Sequence, residues 1–317
     1  MEALSKFCYS ILMREDDSSK GERHVKVRFF APPADLAPCF TTFYKMEVTP
    51  PRGEVLTDYL QPEWSNLRFF MGKPPRAYPP EGGDAVTSSF QATGPSSLPT
   101  RFELPATSMW GIGLLPLGWA RFIAAQANEF ANAICDGHTS AVFSAFTPLY
   151  DALRADGRDE QAQFSLITDF FRNLAPMPRD IARILKVHEA MVDPYLMEVG
   201  ALAERVGITT RTLERLCKRH FGFPPRLLLR RQRMMRSLAA FMLAERKSWT
   251  ETIDRHYHDQ AHFVHEFHTF MGMSPSQYAA MPHPVLNAFM EERQRVWGSP
   301  VQTLDKPPHL PPDEHAT

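Results

Sequence analysis

Residues 210–219 of this 317-residue sequence are rich in basic and hydrogen-bonding side chains. Arginine pairs with guanine through two hydrogen bonds to O6 and N7, and both arginine and lysine bind phosphate oxygens. Side chains of this kind, spaced along one face of a helix, suit the recognition of a nucleic acid. The candidate residues are Thr210, Arg211, Glu214, Arg215, Lys218 and Arg219.

Two short helices separated by a glycine turn must position these side chains. Apolar residues recur at helical spacing from Val199 to Val206. Gly207 is suited to end that helix because glycine adopts left-handed backbone conformations, and Thr209 is suited to cap the next one. The pattern predicts a helix-turn-helix whose second helix enters the major groove. An ordinary helical hairpin with a solvated charged face is the alternative.

The sequence repeats this pattern 50 residues later. Leu213 aligns with Phe263, and Gly222–Pro225 aligns with Gly272–Pro275. Arg226–Leu243, between the copies, contains no glycine or proline and predicts one helix about 27 Å long. Successive major grooves on one side of DNA lie about 34 Å apart. The repeat therefore predicts two recognition helices held near adjacent grooves.

The second copy supplies a different set of candidate contacts. On the linker helix, Arg226 and Arg230 are predicted to bind phosphate. The candidate DNA contacts of the second copy are Gln260, Ala261, His262 and His265.

The histidines around this helix have a spacing that also suits metal binding. His258, His262 and His265 are separated by four and then three residues, as metal ligands on a helix often are. However, no cysteine or adjacent acidic pair completes a site. The sequence therefore predicts neither a metal nor any other cofactor, and the histidines are expected to support the turn or to face phosphate and solvent.

Two segments resemble the AraC/XylS family of transcription regulators. They are Ile208–Pro225 (ITTRTLERLCKRHFGFPP) and Asp259–Tyr278 (DQAHFVHEFHTFMGMSPSQY). The second contains D-Q-x-H-F-x-x-x-F followed by G-x-S-P-x-x-Y, a pattern specific to that family's second helix-turn-helix. The resemblance covers residues 195–281 and implies a DNA-binding regulator with two such units.

The second copy also departs from the family pattern. His256 stands where the family has a glycine before an aromatic residue, here Tyr257, and the stretch Trp249–Asp259 is one residue shorter. A left-handed conformation at His256 would cost about 1 kcal/mol. The arginine that the family usually has on this recognition helix is also missing, and His265 stands there instead. We therefore expect a second recognition helix that is tilted or weakened.

Charge and cysteine usage fit a regulator in a reducing compartment. The whole sequence has a net charge of −1, but residues 201–272 carry 13 Lys and Arg against 7 Asp and Glu. The four cysteines are dispersed and form no C-x-x-C motif, so a zinc finger is not expected. With no long apolar run either, the chain is expected to be cytoplasmic.

The fold class predicted is α+β. Residues 1–175 are expected to form a small β-rich domain with trailing helices, and 176–194 a connecting helix. Residues 195–281 are expected to form the all-α DNA-binding domain, with its two helix-turn-helix units joined by a linker helix. Residues 282–317 are predicted to be a proline-rich, partly disordered tail. Ala92–Ile123 resembles a poorly characterised N-terminal domain found in some AraC-type regulators.

The chain is predicted to be a sequence-specific transcription regulator whose DNA-binding domain is fused to a sensing or interaction domain. Five aromatic residues could line an apolar ligand pocket in the first half, or simply fill its core: Trp64, Phe69, Phe70, Trp110 and Trp119. Double-stranded DNA is the expected partner, with RNA polymerase, a second copy of the chain and a small-molecule effector as further candidates. No enzyme motif is present, so no catalytic residue is assigned. The alternatives are an enzyme in the β-rich half with an accessory DNA-binding module, and a regulator that acts through protein contacts alone.

Overall fold

The computed structural model describes residues 24–155, 157, 159–244 and 248–308. Its first half is β-rich with trailing helices and its second half is helical, which confirms the predicted α+β class. Cys8 and the end of the predicted tail, residues 309–317, lie outside the described residues. No helix within the described ranges is long and apolar enough to cross a membrane.

Two antiparallel sheets make up the N-terminal domain. One has the strand order β1-β2-β9-β4-β7-β10 and the other β3-β8-β5-β6. The strands are β1 (Val25–Phe30), β2 (Phe40–Val48), β3 (Leu56–Leu60), β4 (Ser65–Phe70), β5 (Arg76–Tyr78), β6 (Val86–Thr87), β7 (Phe90–Thr93), β8 (Thr100–Leu104), β9 (Thr107–Leu114) and β10 (Ile134–Asp136).

Strand β4 is buried on both faces because both faces of its sheet are covered. Successive side chains of a strand point to opposite sides. Leu67 and Phe69 therefore join the core beneath the helices, whereas Phe70 joins a second core between the sheets. Arg68 shares the side of Phe70, so a charged group enters the space between the sheets.

Ten helices follow or interrupt the strands in the described part of the chain. They are α1 (Pro116–Phe122), α2 (Thr147–Arg154), α3 (Glu160–Leu174), α4 (Ile181–Met191), α5 (Val199–Val206), α6 (Thr210–Phe221), α7 (Pro225–Leu243), α8 (Gln260–Met271), α9 (Pro275–Ala279) and α10 (Pro284–Trp297).

The predicted repeat is confirmed at the level of backbone conformation. Helices α6 and α8 have the same length and are offset by 50 residues. Gly222 and Gly272, which end them, both adopt the left-handed conformation. Pro225 and Pro275 each open the next helix, where proline's missing N–H costs nothing.

The N-terminal half departs from its local sequence pattern at two places. Residues 71–94 are rich in proline and glycine, which favours loops, but they contain β5, β6 and β7. The sequence from Trp119 onward has a helical pattern, but the helix ends at Phe122. The alanine-rich stretch instead forms a 3-10 turn and then β10, which pairs with β7. Pairing with an open sheet edge has overridden local helix propensity there.

The predicted tail also needs correction. Residues 284–297 form α10, and residues 302–304 form a 3-10 turn. The prolines that suggested disorder instead delimit structure, since Pro284 is the first residue of the helix and Pro300 follows its end. Apolar side chains such as Val285 and Met290 are buried against the rest of the protein.

Candidate functional site

The first helix-turn-helix has the predicted geometry. Helix α5 ends at Gly207, whose φ of 75° is left-handed, and Thr209 caps α6 by accepting a hydrogen bond from Thr212 N at 3.2 Å. Leu213 and Phe221 turn inward and are fully buried. The opposite face is open to solvent, and it carries all six predicted contacts: Thr210, Arg211, Glu214, Arg215, Lys218 and Arg219.

The second unit is built differently at its start. Asp259 caps α8 by accepting from His262 N at 2.7 Å, but the preceding described residues form only a 3-10 turn, Trp249–Glu251. His256 does not have a positive φ, so the expected left-handed strain is absent. Asp254 explains this, because its carboxylate accepts hydrogen bonds from both the backbone N and the ring Nδ1 of His256. The carboxylate thus holds a turn that needs no glycine.

A buried carboxylate joins the second recognition helix to the linker helix. Glu266 on α8 accepts hydrogen bonds from Arg233 and Arg230 on α7 and from Tyr257 Oη at 2.7 Å. Burial alone would raise the pKa of Glu266, but these three donors hold it below its usual value. The corresponding residue of the first unit is Leu216, so this network belongs to the second unit only.

A groove between the two units brings several predicted residues together. Arg226 and Arg230 line it from α7, and His262 and His265 line it from α8. Arg230 is half-buried and already bonded to Glu266, so it is less available to phosphate than the exposed Arg226. Gln260 and Ala261 lie beside His265 on the outer surface of α8 and are exposed.

The histidine cluster does not assemble a metal site. The rings of His258 and His262 stack with centroids 5.7 Å apart. Within the described residues, no three His, Cys, Asp or Glu side chains are grouped so that they could hold an ion. His262 instead lies 3.3 Å from Arg233 Nη2.

The first unit packs directly on the N-terminal domain. Leu202, Leu213 and Phe221 belong to the same hydrophobic cluster as the core beneath the large sheet. A Cβ atom at Gly222 would lie 2.9 Å from Pro95 Cβ, so only glycine fits this contact. The first recognition helix is therefore fixed to the N-terminal domain.

The linker helix is also pinned to that domain, by a buried arginine. The Arg231 guanidinium lies 4.1 Å from the ring centroid of Trp64 and donates to Ser96 O at 2.8 Å. Burial lowers the pKa of Arg231 to about 9. His188 on α4 packs edge-on against Trp64, and burial, with the nearby charge of Arg231, lowers the pKa of His188 to about 3.

This buried histidine predicts a loss of stability in mild acid. The folded pKa of His188 lies below the ordinary value of 6.5, so the unfolded chain binds more protons as pH falls below 6.5. Between pH 7 and pH 5 this group alone should remove about 2 kcal/mol from the free energy of unfolding, at 1.36 kcal/mol per pKa unit. Urea unfolding at the two pH values should show that His188→Phe loses about 2 kcal/mol less than wild type. The exposed control His268→Gln should lose as much as wild type; an equal loss in all three proteins would contradict the assignment.

A cavity of about 100 Å³ lies between the two sheets, several times the roughly 15 Å³ that one water needs. Most of its lining is apolar, with Phe102 and Met109 among the side chains from the strands. At one end Arg68 Nη2 donates to both carboxylate oxygens of Glu63 at 2.8 Å, and Arg68 Nε donates to Tyr44 Oη. Burial works against the charge on Arg68, but Glu63 and Tyr44 raise its pKa overall.

Four of the five aromatic residues considered for a pocket lining fill the core instead. Of the five aromatic residues suggested, only Phe70 lines the cavity. Trp64, Phe69, Trp110 and Trp119 are fully buried in the core beneath the helices. Strand alternation explains the division, since Phe69 and Phe70 must point to opposite faces.

Sequence reasoning missed the charged pair in this cavity. The available signal was Arg68 itself, an arginine inside the apolar strand sequence Leu67–Phe70. A buried charge in a strand requires a partner, but the sequence does not say which acid supplies it. Glu63 lies five residues earlier, on the loop between β3 and β4, where alternation makes no prediction.

Comparison with known proteins gives the following matches. Residues 202–281 match a family model described as "Helix-turn-helix domain". No curated protein matches the sequence. ToxT from Vibrio cholerae O395 is 11% identical, with a TM-score of 0.40, over 81% of this chain and 98% of that chain. Unsaturated fatty acid bound wild-type ToxT from Vibrio cholerae strain SCE256 is also 11% identical at a TM-score of 0.40, over 85% and 98%. The AraC-like transcriptional activator CuxR is 9% identical at a TM-score of 0.28, over 67% and 86%.

The structural likenesses are too distant to assign a ligand or a partner. The family match, in contrast, spans both glycine-ended recognition helices and the linker helix between them. Residues 202–281 are a helix-turn-helix domain, and this chain is a DNA-binding transcription regulator.

Proposed function

We propose that the chain controls transcription by placing α6 and α8 in two adjacent major-groove segments of one operator. The observation that carries this proposal is the repeated unit: two recognition-type helices of equal length, each with a side-chain cap at its start and a left-handed glycine at its end. The linker helix α7 holds the two at a fixed separation in one chain.

The first unit is assigned most of the sequence reading. Arg211 and Arg215 are exposed on α6 and suit guanine recognition, with Thr210 and Glu214 beside them. Lys218, Arg219 and Arg226 are exposed and suit phosphate binding, which positions the protein without reading sequence. On α8, Gln260, Ala261 and His265 form a weaker reading surface with no arginine.

DNA affinity should depend strongly on salt. Each phosphate neutralised contributes a slope of about −0.9 in log affinity against log salt, and we expect a slope steeper than about −3. Arg219→Ala should reduce the slope by about 1, whereas Arg52→Ala, which removes an exposed charge on the loop between β2 and β3 of the N-terminal domain, should leave it unchanged. Fluorescence anisotropy over a salt series measures this. A salt-independent affinity would contradict the proposed DNA contacts.

We further propose that a small effector binds in the cavity of the N-terminal domain. Asn66 lines the cavity, is 2% exposed, and its Nδ2 has no hydrogen-bond partner among the described residues. Glu63 already neutralises Arg68. Arg293, which also lines the cavity, is paired with Asp305, so a charged ligand gains little at either arginine. The lining therefore suits an apolar molecule with one neutral hydrogen-bond acceptor, such as a hydroxyl or carbonyl.

Thermal unfolding with three probes of equal chain length tests the effector class. We expect 1-octanol to raise the melting temperature of the full chain more than octanoate or octylamine does. Ile134→Trp, which fills the apolar lining, should abolish the increase. The control Val296→Trp lies on the exposed side of α10 and should keep it. A larger shift with octanoate would reject the neutral class, and no shift with any probe would count against a ligand in this cavity.

The enzyme alternative has one observation in its favour. Ser89 Oγ lies 3.2 Å from His138 Nε2, a distance found in nucleophile–base pairs. However, His138 Nδ1 faces Thr147 Oγ1 at 3.5 Å rather than a carboxylate that would orient the ring. The Ser89–His138 pair therefore lacks the third group that a hydrolase site needs, and DNA binding is the preferred function. Ester turnover that is lost in Ser89→Ala would reverse this preference.

RNA polymerase and a second copy of the chain stay predicted partners, and the cytoplasmic location stays a prediction. A direct test of self-association is sedimentation of the full chain with and without operator DNA.

A further inference from the structure

We infer that residues His283–Asp305, termed the C-terminal latch, close the cavity and tie the second helix-turn-helix to the N-terminal domain. The effector site is then built from both ends of the described chain. The claim about ligand closure rests on the effector proposed above, whereas the tie between the domains does not.

The latch begins at a cap supplied by the N-terminal domain. The first backbone N–H groups of a helix have no partner within the helix, and its positive end favours an anion. Asp58 on β3 accepts from Val285 N at 3.0 Å and from Leu286 N at 2.9 Å. It also lies 3.1 Å from His283 Nδ1, and both side chains are buried. The start of α10 is therefore fixed by a residue of the other domain.

The latch then forms a wall of the cavity. Phe289, Met290 and Val301 belong to the lining, and Phe289 packs edge-on against Tyr44 at 4.9 Å between ring centroids. Gln302 Nε2 donates to Glu63 Oε2 at 2.9 Å, so the latch also touches the charged pair. Removing this segment would expose the polar end and one apolar side of the cavity.

The same segment contacts the DNA-binding domain. Gln232 on α7 donates to Thr303 O, and Met290 and Val301 share a hydrophobic cluster with α8 and α9. Gln61, beside the cavity, donates to Tyr278 Oη on α9 at 3.0 Å. The second unit is thus bonded to the cavity wall, whereas the first unit packs on the other side of the large sheet.

Occupancy of the cavity should therefore act on the second unit. A ligand there would touch both the latch and Met235 of the linker helix. A ligand that stabilises the closed latch must, by thermodynamic linkage, bind more tightly when the latch is closed. The positions of α8 and α9 are the ones expected to respond, because no residue of α5 or α6 belongs to the hydrophobic cluster that Met290 and Val301 share with α8 and α9.

Hydrogen exchange of the full-length protein tests the tie without any ligand. Gln302→Glu places a second carboxylate against Glu63, and Gln161→Glu is the control, making the same change at an exposed site on α3. We expect amides of α8, α9 and α10 to exchange about tenfold faster in Gln302→Glu, with α5 and α6 unchanged. Asp58→Asn, which weakens the other end of the latch, should give the same distribution. Equal exchange in Gln302→Glu and the control, or acceleration spread equally over α5 and α6, would overturn the tie.

The same variants with 1-octanol test the closure. We expect octanol to raise the melting temperature of wild type and of Gln161→Glu, but not of Gln302→Glu. An undiminished shift in Gln302→Glu, despite faster exchange in α10, would overturn closure by the latch. If no probe shifts wild type, the proposed effector function fails, while the exchange result still decides whether the latch joins the domains.

Discussion

Replacing Glu266 with alanine should lower the free energy of unfolding by about 3–5 kcal/mol, the usual cost of removing one partner from a buried ion pair. Glu266 is 1% exposed, and its loss leaves Arg233 buried without its carboxylate. Urea unfolding measures the effect, and the exposed Glu251→Ala serves as the control. Because α8 is held to α7 by this pair, DNA contacts of the second unit should be lost with it.

A paired replacement separates the missing charge from the missing packing. Glu266→Leu introduces the residue found at the matching position of the first unit, Leu216. It still leaves Arg233 buried without a carboxylate partner, so this single variant should remain strongly destabilised. Glu266→Leu combined with Arg233→Met removes the buried pair and leaves only the half-buried Arg230 without its carboxylate. This double variant should recover most of the stability, as apolar replacements of buried pairs often do. If the double variant were no more stable than Glu266→Leu, the electrostatic explanation would be wrong.

The two recognition helices should contribute unequally to operator binding. Arg215→Ala should cost about 1–3 kcal/mol in binding free energy, a loss of up to roughly 100-fold, and should relax specificity in one half of the site. His265→Ala, at the matching position 50 residues later, should cost clearly less. An imidazole lacks the two parallel donors that arginine offers to guanine.

Footprinting and anisotropy on one operator measure this asymmetry. Both residues are exposed, so neither substitution should disturb folding, and matching urea curves would verify that. Equal losses of affinity in the two variants would contradict the assignment of most sequence reading to the first unit. So would loss of specificity in both halves of the site from Arg215→Ala alone.

The DNA-binding domain was largely predictable because its information is local. Helical periodicity, Thr209 as a cap and the two stop glycines lie within a few residues of the features they determine. The repeat was visible in the sequence because the glycine that ends each recognition helix recurs after 50 residues. The expectation that the turn at His256 needs a glycine was wrong. Asp254 holds that turn through hydrogen bonds, which the pattern of glycines in the sequence does not indicate.

The cavity and the latch were not predictable for the opposite reason. Arg68 is paired by a residue on an irregular loop, and α10 is capped by Asp58, 227 residues earlier in the chain than Val285. No period or spacing relates such positions. The composition of residues 282–317 favoured a tail, because the burial of Val285 and Met290 depends on a surface that only the folded N-terminal domain provides.

The distance in sequence between Asp58 and the start of α10 has a consequence for how the chain folds. The entropy lost on closing a loop grows with its length, so contacts of this span form late. During synthesis, strands β1 to β10 would be made long before the segment that covers the space between their sheets. Met46, Phe70 and Phe102 would then face water in a nearly complete domain. A chain in that intermediate state is exposed to aggregation until its last described helix arrives, so the closing segment protects the folding molecule as well as shaping the finished one.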